Sequence, residues 1–256
     1  MFNDLIGRKE IIDKIEYLIE ELPEQDNFCL ALNGEWGSGK SSVFKMLYEN
    51  LEKHEEYITV LYDAWKNNFY PDPLIAILYC IIDTLKNYLY LLTNTGSEIK
   101  RGALQIAKEF SKGLLSECKK KDGKIGFIAS VISTIKDVVL SAKDTLINNQ
   151  KLKDFKSYQD LLIEVKSALN DLTNFEILQG KQTKLIIIVD EIDRCLPNEQ
   201  LIVLERIHHL FNVENCIVLV ALNRQAIIQN FKTTYGTDGN EYLRKFFDYN
   251  FMLNTN

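Results

Sequence analysis

A chain of 256 residues with 46% apolar and 26% charged residues can bury a sizeable core, which excludes a disordered or fibrous protein. Its 30 basic against 36 acidic residues leave a net charge of −6, a poor starting point for general nucleic-acid binding. The five cysteines are odd in number, widely spaced and free of any Cys-x-x-Cys pair or Cys/His cluster, so no zinc or redox centre is indicated.

No signal peptide opens the chain, and the cysteine usage fits a reduced, cytoplasmic protein. Residues 4–22 read as an opening helix, with Ile11, Ile15, Leu18 and Leu22 on one face. Just before them, Leu5-Ile6-Gly7-Arg8 is either a plain helix entry or a contact to a nucleotide base. Pro23 stops the helix.

The strand-like run Phe28-Cys29-Leu30-Ala31-Leu32 then leads into Gly34-Glu35-Trp36-Gly37-Ser38-Gly39-Lys40-Ser41-Ser42. This stretch matches Gly-x-x-x-x-Gly-Lys-[Ser/Thr] between a strand and a helix, the context a phosphate loop requires. Gly34, Gly37 and Gly39 let the backbone approach a ligand with its N–H groups pointing inward. The following helix adds the positive end of its dipole. Lys40 supplies a charge for the β- and γ-phosphates, and the Ser41 hydroxyl is placed to ligate Mg²⁺. A glycine turn with an incidental lysine is the alternative, and the motif further along the chain speaks against it.

Residues 57–62 read as a second strand, and Pro71 and Pro73 mark a turn before a helix carrying Leu74, Ile77, Leu78, Ile81, Leu85, Leu89 and Leu92. Residues 98–117 look helical with weak patterning, and Lys119-Lys120-Lys121 reads as a solvated corner. Residues 125–147 are amphipathic. Lys136 and Asp137 would each cost about 2.5–3.5 kcal/mol inside a bilayer, so a helix packed on protein is expected rather than an integral membrane segment. Another helix is expected over 153–173.

Lys184-Leu185-Ile186-Ile187-Ile188-Val189-Asp190-Glu191 is a continuous apolar run ending in two carboxylates. Such a run implies a parallel strand buried on both faces, with ligands at its carboxyl end. Asp190 takes the place of the Walker-B aspartate that holds Mg²⁺, and Glu191 that of the glutamate polarising the attacking water. Asp193 reads as either a supporting carboxylate or part of a helix entry, and Arg194 as its partner or a phosphate contact. A helix follows from Asn198. The run 216–222 is a further buried strand ending in Asn223, which is a candidate to orient the attacking water or else a turn residue. A short helix over 225–232, a loop over 233–240 and a last strand over 249–253 close the reading.

Four features together resemble the KAP family of P-loop ATPases: the glycine loop, Tyr62-Asp63-Ala64-Trp65, Val189-Asp190-Glu191-Ile192-Asp193-Arg194-Cys195, and Tyr242-Leu243-Arg244-Lys245-Phe246-Phe247. The resemblance covers nearly the whole chain. It implies an α/β fold of the additional-strand, catalytic-glutamate type, with a parallel sheet of order 5-1-4-3-2 flanked by helices. It also implies ATP and Mg²⁺ as ligands and a regulatory or assembly role. Because bacterial members are often plasmid- or phage-related, a part in antiviral defence is a further expectation. Two departures stand out. Family members often carry Asp-Asp where this chain has Asp190-Glu191, and many carry membrane helices where this chain has an amphipathic region.

The expected organisation is a nucleotide-binding core over 1–93 and 174–256, with a helical insertion over 94–173 between the second and third core strands as a partner surface. The expected activity is ATP hydrolysis coupled to a conformational or assembly change. A nucleotide-gated switch with little turnover and a small-molecule kinase are the alternatives. No Asn-Lys-x-Asp guanine motif occurs, which disfavours a GTPase. Arg224 and Arg244 are candidate fingers for the site of a neighbouring copy, if the chain forms a homo-oligomer, or else simple surface ion-pair residues.

Overall fold

The computed structural model describes residues 8–23, 26–70, 72–93, 126, 129–137, 155–175, 181–210, 212–236 and 238–253. Five strands form one sheet: β1 (Phe28–Asn33), β2 (Tyr57–Asp63), β3 (Lys184–Asp190), β4 (Cys216–Leu222) and β5 (Tyr249–Met252). Their order is β2-β3-β4-β1-β5, and every neighbouring pair is parallel. Read from the other edge this is 5-1-4-3-2, as the family resemblance implied. The carboxyl ends therefore share one edge. Asp63 pairs with Asp190, and Asn33 with both Leu222 and Met252.

Burial on both faces explains the unbroken apolar runs of the middle strands. All seven residues of β4 are buried. Side chains alternate across the sheet. Leu185, Ile187 and Val189 of β3 join one core cluster, and Ile186 and Ile188 join the other. The second cluster is closed by α1 (Lys9–Glu20) and α2 (Lys40–Leu51), through Ile12, Ile15, Ile19, Val43, Phe44 and Leu47.

The first cluster is closed by the remaining helices. These are α3 (Pro73–Thr93), α4 (Phe155–Thr173), α5 (Pro197–Leu210), α6 (Arg224–Tyr235) and α7 (Gly239–Arg244). Residues 129–137 are helical, and Ala129, Ile132 and Ile135 are buried in this same cluster. So are Val165, Leu169 and Leu172 of α4. Among the described residues no helix is long and apolar enough to cross a membrane. The helix expected over 98–117 and the triple-lysine corner lie outside the described residues, as do residues 4–7.

The segment 233–240 departs from the loop expected there. α6 runs on to Tyr235, and Gly236 ends it at φ 71°, donating its N–H to the Lys232 carbonyl at 2.9 Å. Asp238 then caps α7, accepting from the Asn240 N–H at 2.9 Å. Ring packing holds the two short helices together: Phe231 and Tyr242 stack with centroids 4.4 Å apart. Two glycines in this stretch suggested an open loop, but one serves as a helix stop and the other sits buried inside α7.

Candidate functional site

The loop between β1 and α2 turns tightly enough that Gly37 and Gly39 take φ values of 78° and 90°, which side chains rarely adopt. Gly34 is constrained differently: a Cβ there would strike the buried Ser38 hydroxyl. α2 starts at Lys40, so its unsatisfied N–H groups open onto the loop. Arg8 braces the loop from outside, donating from Nη2 to the Ser38 carbonyl at 2.8 Å. Glu35 is exposed, and Trp36 stands 73% exposed at the lip.

β3 delivers the second half of the site. Asp190 is its last residue, and its backbone carbonyl accepts from the Ala64 N–H at 2.9 Å, which holds the two strand ends level. Glu191 follows at φ 61°, a left-handed conformation for a residue with a side chain. A single 3₁₀ turn, Ile192–Arg194, comes next. This sharp reversal throws the polar side chains of Glu191, Asp193 and Arg194 back over the strand end. Ile192 and Cys195 are buried beneath it, and Gln200 fastens the turn by donating from Nε2 to the Cys195 carbonyl at 2.9 Å. Burial pushes the Cys195 thiol up to about 11, so it is protonated at neutral pH and is no nucleophile there.

The two halves meet across a cleft of about 690 Å³ whose walls include Lys40, Ser41, Ser42, Asp190, Glu191 and Asp193. The Ser41 Oγ lies 3.4 Å from Glu191 Oε1, at the outer edge of hydrogen-bond range. Lys40 Nζ lies 3.0 Å from Asp193 Oδ2, and both side chains are close to fully buried, 10% and 8% exposed. Lys40 also donates to the carbonyls of Gly34 and Glu35, at 2.8 and 3.1 Å. Arg194 forms an ion pair from Nε to Glu191 Oε2. Residues separated by about 150 positions in the chain thus share one charged cleft.

The other candidates lie elsewhere. Asn223 sits at the end of β4 and caps α6, its side chain accepting from the Ala226 N–H at 3.2 Å. Its own N–H is held by Asp193 Oδ1 at 2.7 Å. Arg224 gives its backbone N–H to Asn33 Oδ1 at 2.9 Å and points its guanidinium at Asn250, 3.4 Å away. Arg244 is exposed in the last turn of α7, before β5 begins, and is not among the residues walling the cleft.

Sequence patterns did not single out Arg8 and Asn33 as braces, and a supporting carboxylate was one of two readings of Asp193. Asp193 stood two residues past the carboxylate pair, but nothing in one dimension placed it against Lys40.

The cleft suits Mg²⁺ in its donor chemistry. This ion takes one or two protein oxygens and completes its shell with water and substrate phosphates. Ser41 and Asp190, a hydroxyl and a carboxylate, both line the cleft. Among the described residues no group of three His, Cys, Asp or Glu side chains could hold a metal alone.

The Phage T7 exclusion protein of Escherichia coli (strain K12) is 23% identical over 257 residues, covering 98% of this chain. This chain spans 33% of that protein's length. The solved Aeropyrum pernix ORC2 protein, in ADPNP–ADP complexes, aligns over 99% of this chain and 49% of its own, with 12% identity and a TM-score of 0.40. Residues 8–256 match the KAP family P-loop domain, and the chain belongs to that family.

Proposed function

We propose that this chain binds ATP with Mg²⁺ and hydrolyses the β–γ anhydride bond, using the turnover to drive a conformational or assembly change. The observation that carries this reading is the shared cleft, where the phosphate-loop Ser41 lies 3.4 Å from Glu191 and Lys40 lies 3.0 Å from Asp193. The loop N–H groups and Lys40 offset phosphate charge. Ser41 and Asp190 would hold Mg²⁺, which when bound neutralises phosphate charge. Glu191 accepts a proton from the attacking water and orients it. Asn223 and a partner copy's Arg244 or Arg224 are assigned supporting roles at the γ-phosphate. A cytoplasmic location and a role in phage exclusion follow the same proposal, the latter from the name of the relative alone.

Glu191→Gln tests the reading. Hydrolysis should fall by about 10²–10⁴-fold, the range for loss of a general base. Binding of MgATP, followed with a fluorescent analogue, should persist. Equal turnover by the variant and the parent would overturn the assignment of Glu191.

One observation favours a second reading, a nucleotide-gated switch with little turnover. Arg194 is paired with the carboxylate that must accept the proton. A parent protein that binds ATP but shows no phosphate release under single-turnover conditions would select the switch.

A further inference from the structure

An ammonium group has three N–H donors. On Lys40 two donors go to the Gly34 and Glu35 carbonyls, and the charge is paired with Asp193 Oδ2 at 3.0 Å. The two carbonyls belong to the loop and are neutral. Asp193 is the anionic partner. A phosphate oxygen approaching Lys40 must displace one of these contacts, and of Lys40's three partners only Asp193 carries like charge. The carboxylate cannot easily turn aside, because Oδ1 is held by the Asn223 N–H at 2.7 Å and the side chain is 8% exposed. Low local polarizability makes such a contest costly for whichever anion is left unpaired.

We propose that Asp193 is a positioning residue that competes with the nucleotide's phosphates for Lys40 and so sets the affinity of the cleft. The proposal rests on the reading of the cleft as a nucleotide site. Asp193 occupies, on Lys40, the coordination position of a phosphate oxygen. It keeps the lysine folded against its own loop until a stronger polyanion arrives, and its other oxygen ties that exchange to the start of α6.

The test is a double-mutant cycle of Lys40→Met and Asp193→Asn, with Asp193→Ser as a second variant should the first fold poorly. Asparagine retains an acceptor for the Asn223 N–H but loses the charge. Melting without added nucleotide reads the pair itself. Each single variant should lower Tm, and the double should lower it by less than the sum. Titration with MgATP reads the competition. The Asp193→Asn protein should bind about tenfold more tightly than the parent, the scale of one charge-assisted hydrogen bond. The gain should disappear in the Lys40→Met background.

Unchanged or weaker binding by Asp193→Asn would overturn the proposal and leave the aspartate a purely structural brace. A gain that persists without Lys40 would also overturn it, because the carboxylate would then act on the phosphates directly. If the parent binds no MgATP while the melting cycle still shows coupling, the nucleotide reading of the cleft falls, and the competitor role falls with it.

Discussion

β3 and β4 are neighbours in the sheet, both have apolar interiors, and a polar residue stands at the carboxyl end of β3 (Asp190) and just past that of β4 (Asn223). Yet their ends do different things. After β3, Glu191 turns left-handed at φ 61°, and the chain folds back in one 3₁₀ turn that presents three charged side chains to the cleft. After β4, Asn223 stays extended at φ −98° and ψ 97°, and the chain runs straight into α6. Its side-chain oxygen accepts the cap bond from the Ala226 N–H. A polar residue at the carboxyl end of a buried strand can thus be engaged by its own helix as well as stand near a ligand. The backbone conformation just past the strand decides whether the side chain faces a ligand or its own helix.

The largest way to break that contrast is to remove the group the β3 side reaches. Lys40→Ala should weaken MgATP binding by about 10–100-fold, from the loss of charge-assisted contacts worth about 1.5–3 kcal/mol. It should also leave Asp193 as a nearly buried charge without its ion-pair partner, at a stability cost of about 3 kcal/mol. Fluorescent nucleotide titration and thermal melting read the two effects separately. A variant that binds normally would show that the cleft does not depend on its lysine.

Much of the β3 side was legible in the sequence. The spacing of Gly34, Gly39 and Lys40 declares the loop, and seven residues from Lys184 to Asp190 declare a central strand by the absence of any polar face. The strand order was not readable from hydrophobic period. It came from family resemblance, because period 2 says which face a residue takes but not which strand lies beside it. The pairing of Lys40 with Asp193, and of Arg194 with Glu191, was illegible for another reason. Both depend on one residue adopting a left-handed backbone, which Glu191 does not announce. α6 was read too short because the two glycines of 233–240 mark a loop, whereas Gly236 only ends the helix after Tyr235.

A second variant sharpens what the 3₁₀ turn does. Arg194 is 63% exposed, and its guanidinium holds the Glu191 carboxylate to one side. An ion pair this exposed contributes little to stability, so Arg194→Ala should leave Tm nearly unchanged. Its effect should fall on kcat. If the pairing restrains the carboxylate, freeing it should raise steady-state hydrolysis by about two- to tenfold, equal to about 0.4–1.4 kcal/mol of barrier. A loss of similar size would instead mean that Arg194 itself serves the phosphates. Steady-state phosphate release with both proteins at saturating MgATP distinguishes the two.

The smallest expected effect belongs to the β4 side. Asn223→Ala removes the side-chain acceptor for the Ala226 N–H, and loss of such a cap costs about 1 kcal/mol. For a chain of this size that corresponds to a Tm lower by about 2–4 °C. Asn223→Asp keeps an acceptor in the same place, so it should restore Tm. The pair of variants then separates cap from sensor. A side chain that only caps gives hydrolysis rates that follow Tm, with aspartate near the parent and alanine slightly below. A side chain that also orients water needs its amide donor, so aspartate would melt like the parent and still hydrolyse slowly. The proposed sensor role predicts the second pattern. Recovery of both properties in Asn223→Asp would confine Asn223 to its helix and leave the chemistry to the residues past β3.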